Sequence, residues 1–202
     1  MKRFLFLILV LLFASSLHAQ WQEARMSLPF VAGSVAAAGG ACTWYDCVVY
    51  TPNGALSDGA TRNWRNIIPA NTCADSGTKI RITVKGGVAG AGANIQASTI
   101  GIMTSGDVFD AAPTAIKWDS GSASTTVAQD TEKVSDDTTY TLTKTNRHGI
   151  HIYTTDRDFA IMTSGAGGLY YDATASDESA TLDPATSEAA GEGIVIKLEV
   201  CK

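Results

Sequence analysis

The stretch Thr78-Lys-Ile-Arg-Ile-Thr-Val-Lys85 decides the fold, because apolar and polar residues alternate along its whole length. The apolar set is Ile80, Ile82 and Val84, and the polar set is Lys79, Arg81, Thr83 and Lys85. Successive side chains of a β-strand point to opposite faces, so the pattern predicts a strand with one buried and one hydrated face. The last stretch of the chain alternates in the same way. Its predicted inner row is Ile194, Ile196, Leu198 and Val200, and its predicted outer row is Val195, Lys197 and Glu199.

Outward from these two stretches, the sequence predicts eight further strands separated by turn formers such as Pro52-Asn-Gly54 and Asp119-Ser-Gly121. They cover Trp44–Thr51, Arg62–Pro69, Ile95–Met103, Thr114–Asp119, Thr138–Lys144, His148–Thr154, Phe159–Thr163 and Leu169–Asp172. Sustained helical periodicity is absent from this region. Many short strands between Gly, Asn and Asp predict an all-β fold, namely an antiparallel two-sheet β-sandwich that is jelly-roll-like.

The N-terminus has the layout of an export signal. Lys2 and Arg3 precede the apolar run Phe4–Ala14, and small residues up to Ala19 follow it. This run is too short to span a bilayer, so residues 1–19 are predicted to be a cleaved signal peptide; an uncleaved anchor is the alternative. We expect a flexible, Gly-rich lead-in over residues 20–41, a single β-sandwich domain over 42–202, and a secreted or periplasmic location without a membrane span after cleavage.

The four cysteines, Cys42, Cys47, Cys73 and Cys201, form an even set in an exported chain, which predicts two disulfides. Three pairings are possible. The preferred one joins Cys42 to Cys47 and Cys73 to Cys201. Zinc is the alternative use of these residues, but their spacing is poor for a zinc site.

Composition excludes two broad classes. Hydrophobic residues make up 45% of the chain and charged residues 17%, which argues against a disordered protein. The net charge is −5, and it becomes −7 if Lys2 and Arg3 leave with the signal, since 13 basic residues then face 20 acidic ones. Without a basic field, nucleic acid is not an expected partner.

The sequence offers no catalytic constellation. There is no Gly-x-Ser-x-Gly nucleophile turn, and the Gly-rich stretch 86–92 lacks the lysine and helix of a phosphate-binding loop, so it is interpreted as a mobile hairpin loop. His148 and His151 should point to opposite faces of one strand, His151 outward on a hydrated face. No pair among the acids is singled out for glycoside hydrolysis. A non-enzymatic role is therefore expected, with a hydrolase as the lesser alternative.

No cofactor is predicted except a possible structural calcium ion. Hard cations need clustered oxygen ligands. The candidate ligands are Asp156, Asp158, Asp172 and Asp177. Ordinary solvated turn acids are the alternative interpretation.

Aromatic side chains provide the candidate ligand site, because sugar rings stack on exposed aromatic faces beside polar groups. Trp64, Trp118 and Tyr140 share the parity of apolar neighbours and are predicted to be core residues. The ligand-binding candidates are Trp44, His151, Tyr153, Asp156, Arg157 and Tyr171. Packing or ordinary surface roles are the alternative for each of them.

Four motifs carry a resemblance across about residues 62–201. They are Ser76-Gly-Thr-Lys-Ile-Arg-Ile-Thr-Val-Lys85, Ile95-Gln-Ala-Ser-Thr-Ile-Gly101, Ile116-Lys-Trp-Asp-Ser-Gly121 and Val134-Ser-Asp136. The chain resembles β-sandwich modules of exported bacterial and phage-associated proteins and, more distantly, the jelly-roll module beside the catalytic domain of GDSL-type esterases. The esterase Gly-Asp-Ser block is absent, since Val108 follows Gly106-Asp107. The resemblance implies an accessory binding module.

The expected function is therefore a non-catalytic secreted module that binds carbohydrate or a cell-surface polymer. The alternative is a structural or assembly protein of a virion, a tail or an extracellular matrix. The low charge and the surface rich in Thr, Ser, Ala and Gly suit self-association.

Overall fold

The computed structural model of the protein describes residues 42–57, 61–88, 92–156, 158–163, 168–172, 176–181, 187–189 and 193–202. The predicted signal peptide and lead-in lie outside these residues. The chain from Ala41 to Lys202 forms one compact unit. Within the described residues, this unit holds strands and no helix.

The described residues contain fourteen strands. They are β1 (Trp44–Val49), β2 (Gly54–Ser57), β3 (Arg62–Ile68), β4 (Gly77–Lys85), β5 (Ala93–Ile102), β6 (Thr114–Ala115), β7 (Thr125–Val127), β8 (Glu132–Val134), β9 (Thr138–Leu142), β10 (His148–Asp156), β11 (Asp158–Ile161), β12 (Leu169–Asp172), β13 (Ser187–Ala189) and β14 (Val195–Cys201).

These strands form two main antiparallel sheets. The five-stranded sheet has the order β1-β14-β4-β8, and β9 also pairs with β4. The seven-stranded sheet has the order β13-β12-β3-β10-β5-β6, and β7 also pairs with β5. A separate two-stranded sheet joins β11 to β2.

The two main sheets share one apolar core. Ile80, Ile82 and Val84 of the five-stranded sheet are fully buried, and they belong to the same cluster as Trp64 and Ile152 of the seven-stranded sheet. Two sheets that bury their inner faces against one another make a β-sandwich. The prediction of an all-β, antiparallel sandwich is confirmed, and a jelly-roll order of the strands stays a prediction.

Several strand predictions need correction. The strand predicted over Thr114–Asp119 is only β6 (Thr114–Ala115), because the chain turns at Asp119 and Ser120, which both have positive φ. The short strands β2, β7, β8 and β13 were not predicted. Strands of three or four residues contain too few alternations to stand out from the surrounding turn residues.

The alternation predicted for the last strand is interrupted by a register shift. The pairing of β14 with β4 shifts between Val195 and Lys197. As a result, Val195, placed in the outer row by the sequence, joins the core cluster together with Leu198 and Val200. Ile196 is also buried, so both faces are covered at this end of the strand.

The preferred disulfide pairing was wrong. The structure joins Cys42 to Cys201 and Cys47 to Cys73. Cys42 and Cys47 lie five residues apart on nearly straight chain, about 16 Å at 3.3 Å per residue, which is too far for a disulfide. Because β1 pairs with β14, Trp44 lies opposite Cys201, and Cys42 therefore lies close to it.

Candidate functional site

The residues predicted to bind a ligand lie on both sheets. Trp44 is in β1 of the five-stranded sheet, whereas His151 and Tyr153 are in β10 of the seven-stranded sheet. All three are on the parity opposite to the core, and the sandwich core separates the two outer faces. The structure therefore does not bring Trp44 together with the β10 residues.

His151 points outward, as its parity indicates, but the prediction that it is exposed was wrong: it is fully buried. Two segments, residues 103–110 and 176–181, cover this part of the outer face; we call them the covering segments. Arg65 anchors both, since it donates hydrogen bonds to the Asp107 and Thr181 carbonyls. Its guanidinium also lies 3.8 Å from the ring centre of Phe109. The two covering segments thus shield from solvent a strand face that carries polar residues.

A buried hydrogen-bond chain fixes the tautomer of His151. The Nε and Nη2 atoms of Arg65 lie 3.3 and 3.1 Å from Nδ1 of His151, which must accept because arginine has only donors. Nε2 therefore carries the proton and donates to Oδ1 of Asn63 at 3.0 Å. Burial, with the Arg65 charge as a second cause, lowers the pKa of His151 to about 3. The His151 imidazole is therefore neutral at physiological pH, and its hydrogen bonds to Arg65 and Asn63 stabilise this part of the fold.

The other histidine is buried on the opposite face, as the spacing predicts. Nδ1 of His148 lies 2.7 Å from the Tyr140 hydroxyl, and Nε2 lies 3.0 Å from the Thr143 carbonyl. Burial lowers the pKa of His148. The core positions predicted for Trp64 and Trp118 are confirmed, while Tyr140 is only partly buried and packs against the core.

Tyr153 is half-buried on the outer face of the seven-stranded sheet, where Ala97 is its neighbour across the strand pair. Ala97 lines a shallow groove of about 250 Å³ together with Lys117 and a wall of mostly small side chains. The described lining of the groove contains no aromatic residue and one charged residue. The groove therefore suits poorly a ligand that binds by aromatic stacking and several hydrogen bonds.

The remaining candidates are dispersed. Asp156 is half-buried at the end of β10. Arg157 and the Tyr171 side chain lie outside the described residues. Among the calcium candidates, Asp158 is buried and accepts a hydrogen bond from the Gly92 amide, Asp177 caps the Ser179 amide, and the Asp172 side chain lies outside the described residues. No three His, Cys, Asp or Glu side chains in the described part of the chain converge as metal ligands.

A better candidate lies at β1, where a cavity of about 140 Å³ opens beside Tyr45. Its lining consists of Tyr45, Asp46, Cys47, Cys73, Ala74, Asp75 and Val200. The Tyr45 side chain is 42% exposed. An accessible aromatic ring and two carboxylates therefore meet at one concave place, which we call the β1 site.

Charged side chains surround the β1 site in ion pairs. Lys202 binds Asp75 at 2.6 Å, and its ammonium is 5.7 Å from the Tyr45 ring centre. Lys197 binds Asp46 at 2.9 Å. The hydrogen bond from Lys202 keeps the pKa of Asp75 below its ordinary value. The same hydrogen bond raises the pKa of Lys202, so this pair stays ionised at physiological pH.

Trp44 precedes Tyr45 in β1 and lies on the outer face of the sheet, the face opposite to that of Tyr45. The Arg81 guanidinium lies 4.4 Å from its ring centre. Arg81 also forms a two-pronged ion pair with Glu199, with distances of 2.7 and 2.8 Å. Cation–π contact and the fork geometry of the pair hold the indole in one orientation. None of the predicted ligand residues whose side chains the structure describes lines this cavity.

The two disulfides fix the strand that carries the site. Cys42–Cys201 ties the start of β1 to the end of β14, and Cys47–Cys73 forms part of the cavity wall. Gly77 is required beside them, because a side chain there would collide with the Cys201 backbone. Tyr45 was not among the site residues predicted from the sequence. It lies opposite Val200, a core residue, so its parity is that of the core face. Tyr45 is exposed because β1 lies at the edge of the sheet.

No protein-family model matches the chain, and no curated protein is significantly similar to it in sequence. The resemblance to exported β-sandwich modules stays a prediction. In the described part of the chain, no helix has the length and apolar character needed to cross a membrane. Two disulfides are typical of proteins that fold in an oxidising compartment.

Proposed function

We propose that this protein is an exported, non-catalytic module that binds a carbohydrate or a similar hydroxyl-rich surface polymer at the β1 site. The observation that supports this proposal is the exposed Tyr45 ring, which lines a cavity together with Asp46 and Asp75. An amphipathic ring can stack on a sugar, and ionised carboxylates accept hydrogen bonds from its hydroxyl groups. The signal-like N-terminus and the two disulfides support export.

The size of the cavity limits what enters it. At about 140 Å³ it is smaller than a typical cleft for a drug-sized ligand, which has roughly 300 Å³ or more. One sugar ring or chain end fits this space better than a folded oligosaccharide.

Replacement of Tyr45 tests this proposal. The purified, disulfide-bonded protein is assayed against soluble and insoluble polysaccharides by affinity electrophoresis and pull-down. Tyr45→Ala removes the stacking surface, and we expect at least about a tenfold loss of affinity, which corresponds to about 1.4 kcal/mol. Unchanged near-ultraviolet circular dichroism would show that the fold is retained.

Tyr153→Ala is the matched control, because it removes a tyrosine from the outer face of the other sheet. Its binding should equal that of the unmodified protein. If Tyr153→Ala abolishes binding and Tyr45→Ala does not, the site is at the groove beside Ala97 and the β1 proposal is wrong.

A structural assembly protein is the second candidate, because the two edges of the five-stranded sheet expose apolar side chains. Val49 in β1 is 60% exposed and Val134 in β8 is 47% exposed. Edge strands with exposed apolar residues favour pairing between copies. Light scattering over a concentration series distinguishes the candidates: growth into oligomers that Val49→Lys prevents would favour assembly, and a constant monomer mass would exclude it.

A further inference from the structure

We infer that one of the two covering segments, residues 176–181, is a detachable cover over a polar site on the outer face of the seven-stranded sheet. Three features of the segment support this inference. They are its attachment through main-chain atoms, the internal hydrogen bonds that keep its shape, and a buried carboxylate oxygen that closure leaves without a partner. The site lies on the other sheet from the β1 site and is independent of the proposed function.

The site beneath the cover is a row of buried polar side chains. Arg65 in β3, His151 in β10 and Thr99 in β5 are direct cross-strand neighbours. Asn63 lies two residues before Arg65 in β3 and therefore shares its outward face. All four side chains are buried, although an outer sheet face ordinarily meets water. Their burial thus depends on the covering segments.

The segment is attached to this site through its main chain. In the described structure four hydrogen bonds join it to the sheet, and the segment contributes a main-chain atom to each. They join Asn63 Nδ2 to the Ser176 carbonyl (2.9 Å), the Glu178 amide to Asn63 Oδ1 (3.1 Å), the Thr99 hydroxyl to the Ser179 carbonyl (2.6 Å) and Arg65 Nη2 to the Thr181 carbonyl (3.0 Å). Of the residues in the segment, only Ser179 is buried. Detachment therefore breaks hydrogen bonds but exposes no large apolar side chain of the segment.

The segment holds its own shape through two internal hydrogen bonds. The Thr181 amide donates to the Glu178 carbonyl at 2.9 Å and closes a turn. The Asp177 carboxylate accepts a hydrogen bond from the Ser179 amide at 2.8 Å, as aspartate commonly does in turns. Neither bond involves the sheet. The segment can therefore leave and return as one preformed unit.

Closure of the segment leaves one polar atom unsatisfied. Oε2 of Glu178 is buried and has no hydrogen-bond partner in the described structure. A buried carboxylate oxygen without a partner loses its hydration and gains nothing in return. Detachment returns this oxygen to water, which offsets part of the cost of breaking the bonds to the sheet.

The other covering segment, residues 103–110, is held by apolar packing. Met103 and Phe109 are buried and form a cluster with Ile67. The Phe109 ring also packs closely on Gly101, where a Cβ atom would lie 2.7 Å from the ring. Removal of this segment would expose these apolar side chains to water, which is unfavourable. We therefore expect residues 176–181 to open while residues 103–110 stay in place.

Opening would change what the outer face presents to a ligand. Ser179 and Ala180 form part of the wall of the shallow groove, and Thr99 also lines it. Without this wall the groove would continue across the row from Thr99 to His151 and Arg65. A groove with mostly small walls would thereby gain hydrogen-bond donors that the carbonyls of the segment occupy in the closed form.

Carbethoxylation of histidine by diethyl pyrocarbonate measures the opening in the purified full protein. His151 lies beneath the cover, whereas His148 is buried on the opposite face and is an internal control. Because local opening is more frequent than global unfolding, we expect His151 to be modified at least about tenfold faster than His148, as located by peptide mass spectrometry. Equal rates for the two histidines would show that His151 is reached only through global unfolding and would overturn the inference.

Two variants change the closure in opposite directions. Thr99→Val removes the hydrogen bond to the Ser179 carbonyl at nearly constant shape, so modification of His151 should become about fivefold faster. Glu178→Ala removes the unpaired carboxylate and keeps the main-chain bond, so modification should become about threefold slower. An unchanged rate in both variants would contradict a detachable cover.

Ser176→Ala is the matched control, because it changes an exposed side chain of the segment and none of its four bonds to the sheet. The modification rate of His151 in this variant should equal that of the unmodified protein. Hydrogen exchange distinguishes local from global loosening in Thr99→Val. The Glu178 amide should exchange faster, while the amides of β10 keep their rates. Equal acceleration of both would mean that the whole sandwich is loosened and that no separate cover exists.

Discussion

At the scale of single residues, His151 shows how burial changes the meaning of a polar position. In sequence it is one outward residue on a strand between Ile150 and Ile152. In the structure its ring is enclosed by Arg65, Asn63 and the two covering segments. The His151 ring, which was predicted to contact a ligand, instead helps to stabilise the covering segments through Arg65 and Asn63.

This burial predicts a loss of stability in acid. The pKa of His151 falls from its ordinary 6.5 to about 3 in the folded protein, so between these values the unfolded chain binds a proton that the folded chain does not. Stability is retained above about pH 6.5 and declines as the pH falls toward 3, by a few kcal/mol in total. Urea unfolding at stepped pH measures this decline.

His151→Asn separates this residue from the other titrating groups. The asparagine side chain can still accept a hydrogen bond from Arg65 but does not titrate. The variant should be less stable at pH 7 and should lose stability less steeply between pH 6.5 and 3 than the unmodified protein. Asp107 and Glu178 contact this network through backbone atoms. Equal slopes in the two proteins would contradict the assignment of acid sensitivity to His151.

At the scale of elements, β1 depends on few neighbours. It pairs with β14 through a ladder that shifts between Asp46 and Val48, and two disulfides anchor it. In the described structure, no second strand pairs with its other edge. The strand that carries the candidate site is therefore held by one ladder and by two disulfides, which explains how a short edge strand can present a fixed surface.

The two disulfides should differ in their contribution to stability. Cys42–Cys201 spans 159 residues and Cys47–Cys73 spans 26. The chain-entropy relation gives about 5 and about 3.5 kcal/mol for loops of these lengths. Replacing both members of one pair by alanine should therefore lower the free energy of unfolding more for Cys42–Cys201. Equal or reversed losses in denaturant titrations would show that local packing around Cys47–Cys73, and not chain entropy, dominates.

At the scale of the whole molecule, the two sheets are joined by polar contacts as well as by the apolar core. Asn66 lies on the inner face of β3, and its Oδ1 accepts hydrogen bonds from the Ile194 and Val195 amides at 2.8 and 3.2 Å. These amides begin the last strand of the opposite sheet. One side chain thus fixes where β14 enters the sandwich.

Removal of this contact should weaken the whole sandwich. Asn66→Leu has a similar volume but leaves two buried amides without an acceptor, so we expect a loss of about 2–4 kcal/mol in unfolding free energy. Asn94→Leu is the control, since Asn94 bonds Thr126 near the surface and should cost less than about 0.5 kcal/mol. Thermal and urea unfolding measure both, and a similar cost for the two variants would contradict the inter-sheet role.

The sequence alone determined the fold class. Alternation at Ile80, Ile82 and Val84 reflects a local property of strands, the period of two, and so it could be recognised without knowledge of any partner strand. The inward position of Trp64 in β3 followed from the same rule. The even number of cysteines likewise determined that disulfides would form.

The tertiary structure decided which surfaces are free and which cysteines meet. The pairing Cys42–Cys201 depends on β1 lying beside β14, residues that are far apart in the chain. The burial of His151 depends on covering segments from two other places in the sequence, and the exposure of Tyr45 depends on β1 being an edge strand. Parity assigns a side chain to a face, but only long-range packing determines whether that face meets water, another sheet or a loop.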